Sequence, residues 1–389
     1  MSADARGDAR HSWKDLGGRS VLVHLGPRAC DCRCPGAAVA PPAGWATIGD
    51  AESLVLPNGT FLLADSQTTK QATFNAQTLA WTAVGIGQNG INDEQGWTLL
   101  PNGTVLTVDA NAGTGQYEIL DPSTFTWTTQ AGTTGASLIG PGSEIGPAVL
   151  LPDGRVFQVG GSANTAVYGT NKVWTPGPNM NGANGTPLEG GDTPGALLPN
   201  GRVLIAPGNG TGNKPTAGVF YFEFDGTNLN PVAATLNASS DLGVNHRMLV
   251  LPMGQILLTT DTTTDVEIYT PTQSPNAAWA PTISNVPGTI TRGQAVVITG
   301  TQFNGLSLGA SYGDEAQMST NYPLVRVKSN SSGHVFYART FNPSSMGVAT
   351  GNTPVQVSFD LPSSAETGSS QLVVVANGIP SLPVAVTVQ

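Results

Sequence analysis

The chain has 389 residues, with 49 glycines, 29 prolines and only 11% charged residues, a composition of short strands and tight turns rather than long helices. Its net charge of −10 argues against nucleic acid as a partner, which asks for clustered lysine and arginine. No apolar run approaches the roughly 18 residues needed to span a membrane.

Residues 1–44 differ in style from everything after them. They hold all three cysteines, Cys30, Cys32 and Cys34, and the arginines Arg6, Arg10, Arg19, Arg28 and Arg33. Alternate cysteines do not match zinc-ligand spacings, and no second pair follows downstream. The segment reads as a disordered or atypical leader. Residues 20–25 are too short an apolar core for a signal peptide, and acidic residues precede them.

One phrase then recurs five times, with its proline at Pro57, Pro101, Pro152, Pro199 and Pro252, at intervals of 44, 51, 47 and 53 residues. Its second copy is Leu99-Leu100-Pro101-Asn102-Gly103-Thr104-Val105. A self-similar unit of about 40–50 residues is the signature of a propeller blade. In the second unit, residues 97–100 and 104–109 are strand-like, and Asn102-Gly103 is expected to supply the positive φ angles of a two-residue hairpin. Residues 116–120 make a third strand and 125–128 a fourth, which carries Trp127. Trp81, Trp174 and Trp279 recur at the matching place in other units. A tryptophan repeated in this way is read as packing between blades rather than as a ligand-stacking platform. The five units span residues 45–280. They begin midway through a unit at Trp45, so an N-terminally shortened propeller is expected.

After Ala280 the period stops. Residues 294–300, 371–375 and 383–388 alternate apolar and small polar residues, and a separate β-sandwich over 281–389 is expected.

Acidic residues stand just ahead of the inner strand in successive units: Asp50 or Glu52, Asp93-Glu94, Glu144 and Asp192, with Asn245-His246 in the fifth. These positions belong at one mouth of the central channel. Carboxylates gathered there suit a hard cation such as Ca2+ or the hydroxyls of a sugar. The competing reading is that they accept backbone N–H groups at blade ends. Like charges converging on an axis also need a counter-ion. No Gly-x-Ser-x-Gly nucleophile elbow is present.

The units resemble kelch repeats of the galactose oxidase and glyoxal oxidase group. The segment from Ala280-Pro281-Thr282-Ile283-Ser284 to Gln302-Phe303-Asn304-Gly305-Leu306 resembles the opening of an Ig-like early-set (IPT/TIG-type) domain. Residues 309–315, 318–326 and 337–342 resemble the C-terminal domain of the same oxidases, so the likeness covers about residues 45–389. It implies an all-β chain, a kelch-type propeller followed by an Ig-like sandwich, and an extracellular or cell-surface location. It also implies a copper on the axis, held by two tyrosines and two histidines, with one tyrosine cross-linked to a cysteine.

That ligand pattern is only partly kept. Asn245-His246, ahead of Leu249-Val250-Leu251-Pro252, preserves the histidine of an adjacent pair but not its tyrosine. The second histidine, on a C-terminal-domain loop, aligns with Arg339, which is always cationic and repels copper. No cysteine follows Cys34, and only His246 and His334 lie beyond the leader, too few imidazoles for a tetragonal copper site. No copper is therefore expected, Ca2+ is allowed, and Arg339 becomes the candidate counter-ion. The expected function is a non-catalytic binding scaffold. A carbohydrate or protein ligand would sit at the channel face, on Glu94, Glu144, Asp192, Asn245, His246 and Arg339. The rivals are a copper oxidase with an altered site and a structural protein-interaction module.

Overall fold

The computed structural model describes residues 13–14, 20–21, 40–45, 50–112, 115–210, 215–312, 316–319 and 322–389. The three cysteines lie outside them. Within the leader, Trp13–Lys14 pairs antiparallel with Ser20–Val21. Pro41–Gln389 forms one compact unit.

The chain is all-β, and its repeats are five antiparallel blades. Blade I is Ser53–Val55, Phe61–Ala64, Gln71–Asn75 and Ala80–Val84. Blade II is Thr98–Leu99, Val105–Val108, Tyr117–Asp121 and Thr126–Thr129. Blade III is Ile145–Leu150, Val156–Gly160, Thr165–Tyr168 and Trp174–Pro176. Blade IV is Pro194–Leu197, Val203–Ile205, Phe222–Phe224 and Leu229–Pro231. Blade V has three strands, His246–Val250, Ile256–Thr260 and Val266–Tyr269.

The recurrent phrase makes the same turn each time. Gly59, Gly103, Gly154, Gly201 and Gly254 have φ of 82°, 85°, 86°, 83° and 80°. Each glycine N–H donates to the carbonyl of the leucine just ahead of the proline, as in Gly103 N to Leu100 O at 2.9 Å. The asparagine before the glycine is not left-handed. It lends its side chain instead, and Asn102 Oδ1 accepts from Thr104 N at 3.2 Å. The loop is thus three residues long, with proline fixing the first φ and glycine alone crossing to positive φ, rather than the two-residue hairpin expected.

Aromatic residues pack the seams between blades. Trp97 and Trp127 lie 5.6 Å apart, Tyr117 meets Trp174 at 5.8 Å, and Phe157 stacks on Phe224 at 3.8 Å. Trp127 and Trp174 are buried, as packing residues should be. Trp279 departs from that pattern. It ends a short 3-10 turn, Ala277–Trp279, outside the sheet of blade V.

Residues 282–388 form a nine-stranded curled sheet around a second apolar core that includes Ile298, Phe303, Phe359, Leu372 and Val374. Strand Val335–Phe341 makes the curl. It pairs along its length with Leu324–Ser329, while Thr340 and Phe341 pair with Phe359 and Ser358. From this region a hairpin, Gly309–Tyr312 and Ala316–Ser319, leaves the sheet and adds to the innermost strand of blade IV. Pro194 pairs with Tyr312, Gly195 with Ser311 and Ala196 with Ala310, so blade IV belongs to a six-stranded sheet. The same hairpin packs on the inner strands of blades III and V. The C-terminal strands that reach the inner strands of the propeller are therefore Gly309–Tyr312 and Ala316–Ser319, not the 338–342 stretch that the resemblance selected. Ala338 and Arg339 pair with Val325 and Leu324, and Thr340 and Phe341 with Phe359 and Ser358, which holds that stretch in the curled sheet.

The sheet also grips the ends of the ring. The turn glycines step from blade to blade: a Cβ at Gly103 would stand 3.4 Å from Pro57, one at Gly201 3.4 Å from Pro152, and one at Gly254 2.7 Å from Pro199. A Cβ at Gly59, in blade I, would meet nothing within 4 Å. There the C-terminal sheet takes over. Met346 N donates to Pro57 O at 2.8 Å, and Gly378 lies against Gly254 of blade V.

Candidate functional site

The chain enters its inner strands through left-handed residues. Asp50, Glu94 and Asp192 have φ of 51°, 59° and 51°. For residues with a Cβ this backbone is uncommon and costs about 1 kcal/mol or more each, and such strain gathers where side chains must be aimed. The backbone laces these entries together, with Glu94 N donating to Asp50 O at 3.2 Å and Asp192 N to Ile145 O at 3.4 Å.

The result is a convergence of carboxylates from blades II, III and IV. Ligand oxygens of Glu94, Glu144 and Asp192 all lie within 4.8 Å of one another. Asp192 carries the electrostatic consequence: burial first, then the neighbouring Glu144 and Asp50 carboxylates, push its carboxyl up to about 7, while Arg247 opposes the shift. Asp192 Oδ1 is buried and accepts no hydrogen bond. Beside the cluster is a cleft of about 180 Å³ lined by Glu144, Glu189, Asp192, Thr193, Asn209 and Val244. Asp93, next to Glu94, is raised by burial and then by Asp50, and accepts from Gln67 Nε2 at 3.0 Å.

Of the two acids considered for blade I, Asp50 is the one in the electrostatic reach of the cluster. Glu52 is buried and accepts from Ser53 N at 2.9 Å and Trp97 N at 3.3 Å, the backbone-capping role.

Blade V departs from expectation. Asn245 closes a 3-10 turn, Gly243–Asn245, and its carbonyl accepts from Asp261 N at 3.0 Å; the turn shows the cleft Gly243 and Val244 instead. His246 is buried and faces away from the cleft. Its Nδ1 is 3.2 Å from Tyr221 Oη and its Nε2 3.3 Å from Asp241 Oδ2. A neutral ring that donates from Nε2 to the carboxylate and accepts at Nδ1 from the phenol satisfies both contacts. Burial lowers the His246 pKa, against the pull of Asp241.

Arg339 belongs to the C-terminal sheet. It sits exposed on strand Val335–Phe341, in register with Leu324. Among the described residues, the cation whose charge opposes the rise at Asp192 is Arg247, whose Nη1 donates to Val244 O at 2.9 Å and His246 O at 2.8 Å. Strand alternation held the signal: His246, Met248 and Val250 are the buried face of that strand, and Arg247 stands on the other.

The donor set does not fit a copper oxidase. Among the described residues, the two imidazoles are committed elsewhere, His246 to Tyr221 and Asp241 and His334 to Glu366 in the C-terminal sheet. What converges is carboxylate, the donor of hard cations rather than of copper.

No protein-family model and no curated protein matches this chain. Among solved structures it is similar to a copper-bound fungal alcohol oxidase of the AA5 family, at 13% identity over 88% of this chain and 85% of that one, with a TM-score of 0.44. It is also similar to virginiamycin B lyase from Staphylococcus aureus, at 10% identity over 84% and 92% of the two chains, with a TM-score of 0.36. A third is an α-L-arabinofuranosidase from Fusarium graminearum, at 15% identity over 67% and 90%, with a TM-score of 0.39. Likeness at this level carries no argument for any of those activities. The five-bladed propeller rests on its own strand ladders.

Proposed function

We propose that the chain is a non-catalytic propeller that binds a ligand at its acidic mouth, outside the cell or at its surface. The observation that carries the reading is the convergence of Glu94, Glu144 and Asp192 from three blades. Three carboxylates held so close favour a ligand that brings positive charge or hydrogen-bond donors: Ca2+, the hydroxyls of a carbohydrate, or a basic side chain of a protein. Arg247 offsets part of the charge, and the cleft beside Asp192 gives such a ligand space. The location, and the reading of the curled C-terminal sheet as an early-set domain of Ig type, rest on the sequence resemblance.

The test is metal analysis of the purified chain after separate loading with copper and with calcium, together with peroxide detection on aldehydes and sugars. The expected result is no stoichiometric copper, no peroxide, and calcium-dependent thermal stabilisation that Asp192→Asn abolishes. Stoichiometric copper with peroxide release would replace this reading by the oxidase one. A chain indifferent to both metals and to a carbohydrate panel would remove the mouth as a ligand site.

A further inference from the structure

We infer that a cleft beside Trp279, at the opposite end of the blades from the acidic mouth, is a binding subsite for a neutral saccharide. The cleft has a volume of about 470 Å³ and lies where the turns of blades III and IV meet the chain leaving blade V. That is room for one or two sugar rings.

Trp279 is placed by several constraints at once. Asn276 N donates to Pro199 O at 3.3 Å, and Asn276 Oδ1 accepts from Ala278 N at 3.0 Å, which fixes the turn on blade IV. The indole edge rests on Gly201, where a Cβ would stand 2.4 Å from Cη2. Trp127 and Trp174 are buried in their seams, but Trp279 stays half-buried and lines the cleft. Its seat is not optimised for packing alone, because the adjoining Asn200 Nδ2 is buried with no hydrogen-bond partner.

The polar wall is balanced in charge. Arg155 Nε pairs with Asp153 at 2.8 Å, and its Nη1 donates to Gly226 O at 3.0 Å. Arg202 pairs with Glu223 at 2.9 Å. Asp225 Oδ1 accepts from Thr227 N and Asn228 N at 3.0 and 2.7 Å. An ionic ligand would have to displace one of these partners. A neutral polyol needs no displacement. It meets guanidinium donors, carboxylate acceptors and the exposed amide of Gln273 beside a rigid indole, whose apolar surface suits the C–H face of a sugar ring.

The test is saturation-transfer NMR and calorimetry of the full chain with cellobiose, maltose, lactose, xylobiose and chitobiose. At least one is expected to bind with a Kd of about 0.1–10 mM. Trp279→Ala and Gln273→Ala should each weaken it by about tenfold. Because Trp279 also packs on Gly201, Gln273→Ala is the variant that decides if Trp279→Ala unfolds. Lys328→Gln, at an exposed position of strand Leu324–Ser329 and in neither site, should leave the affinity unchanged. Failure of every sugar to bind at about 50 mM, or binding that survives Gln273→Ala, would overturn the inference. Binding that is lost only in Asp192→Asn would assign the saccharide to the acidic mouth and overturn it equally.

Discussion

Met346 N donates to the carbonyl oxygen of Pro57 at 2.8 Å, and this bond ties the C-terminal sheet to the first blade. At the other end of the ring, Gly378 lies so close to Gly254 that a Cβ would stand 2.5 Å from its Cα. One sheet therefore holds blades I and V. Gly378→Ala should destabilise the chain by about 2–4 kcal/mol, the sum of a left-handed backbone and a clash with backbone that cannot yield. Gly333→Ala is the control, since Gly333 has φ of 76° and open space around it. It should cost about 1 kcal/mol. Chemical denaturation of both variants reads the difference; equal losses would mean that the seam tolerates the side chain.

Asp192 links the acidic mouth to stability. Its carboxyl is raised from 3.8 to about 7 in the folded chain, so folding favours the protonated form. The favourable contribution is fully present below 3.8 and is lost as pH rises to about 7. Asp192→Asn should remove that dependence and stabilise the ligand-free chain at neutral pH by about 1–3 kcal/mol. Thermal melts from pH 4 to 8 measure it. A wild-type slope that the variant retains would place the titration elsewhere.

The parts legible in the sequence are the local ones. Pro57-Asn58-Gly59 and its copies specify a turn within a few residues, and the turn fixes where each inner strand begins. Glu94, Glu144 and Asp192 could therefore be placed at one mouth by counting back from the turns. The identity of the counter-ion was not local. Arg247 became visible only through the buried alternation of His246, Met248 and Val250, and Arg339 is carried away by pairing with Leu324. The pairing of Ala310 with Ala196 joins segments more than a hundred residues apart, and small residues at both places give no periodic signal of it. Trp279 matched the repeat in spacing, yet it forms no fourth strand on Val266–Tyr269, because the 3-10 turn after Asn276 takes it out of the sheet.

Trp127 is a packing residue with a polar obligation. Its Nε1 donates to Gln71 Oε1 at 2.8 Å, and Gln71 Nε2 in turn contacts Asn92 Oδ1 at 3.2 Å. Trp127→Phe keeps an aromatic ring against Trp97 but strips Gln71 of a buried donor. The loss should be about 2–4 kcal/mol, part from area and part from the unsatisfied amide. A cycle with Gln71→Leu should show a coupling of about 1 kcal/mol. Strict additivity of the two substitutions would show that the bond contributes nothing.

His246 titrates in the opposite sense to Asp192. Burial lowers its folded pKa below the ordinary 6.5, so its contribution is present above 6.5 and lost as pH falls through the folded value. His246→Gln should flatten the acid limb of the stability curve, where Asp192→Asn acts on the neutral one. Tyr221→Phe removes the hydroxyl that Nδ1 accepts from, and should cost about 1 kcal/mol while leaving the buried ring in place. Nitrogen NMR of the wild type should find the proton on Nε2, directed at Asp241, throughout the neutral range. A proton on Nδ1 would mean that His246 donates to Tyr221 and leaves Nε2 as a lone pair facing a carboxylate. That arrangement is repulsive, and observing it would require Asp241 to be protonated and the whole chain of contacts to be reassigned.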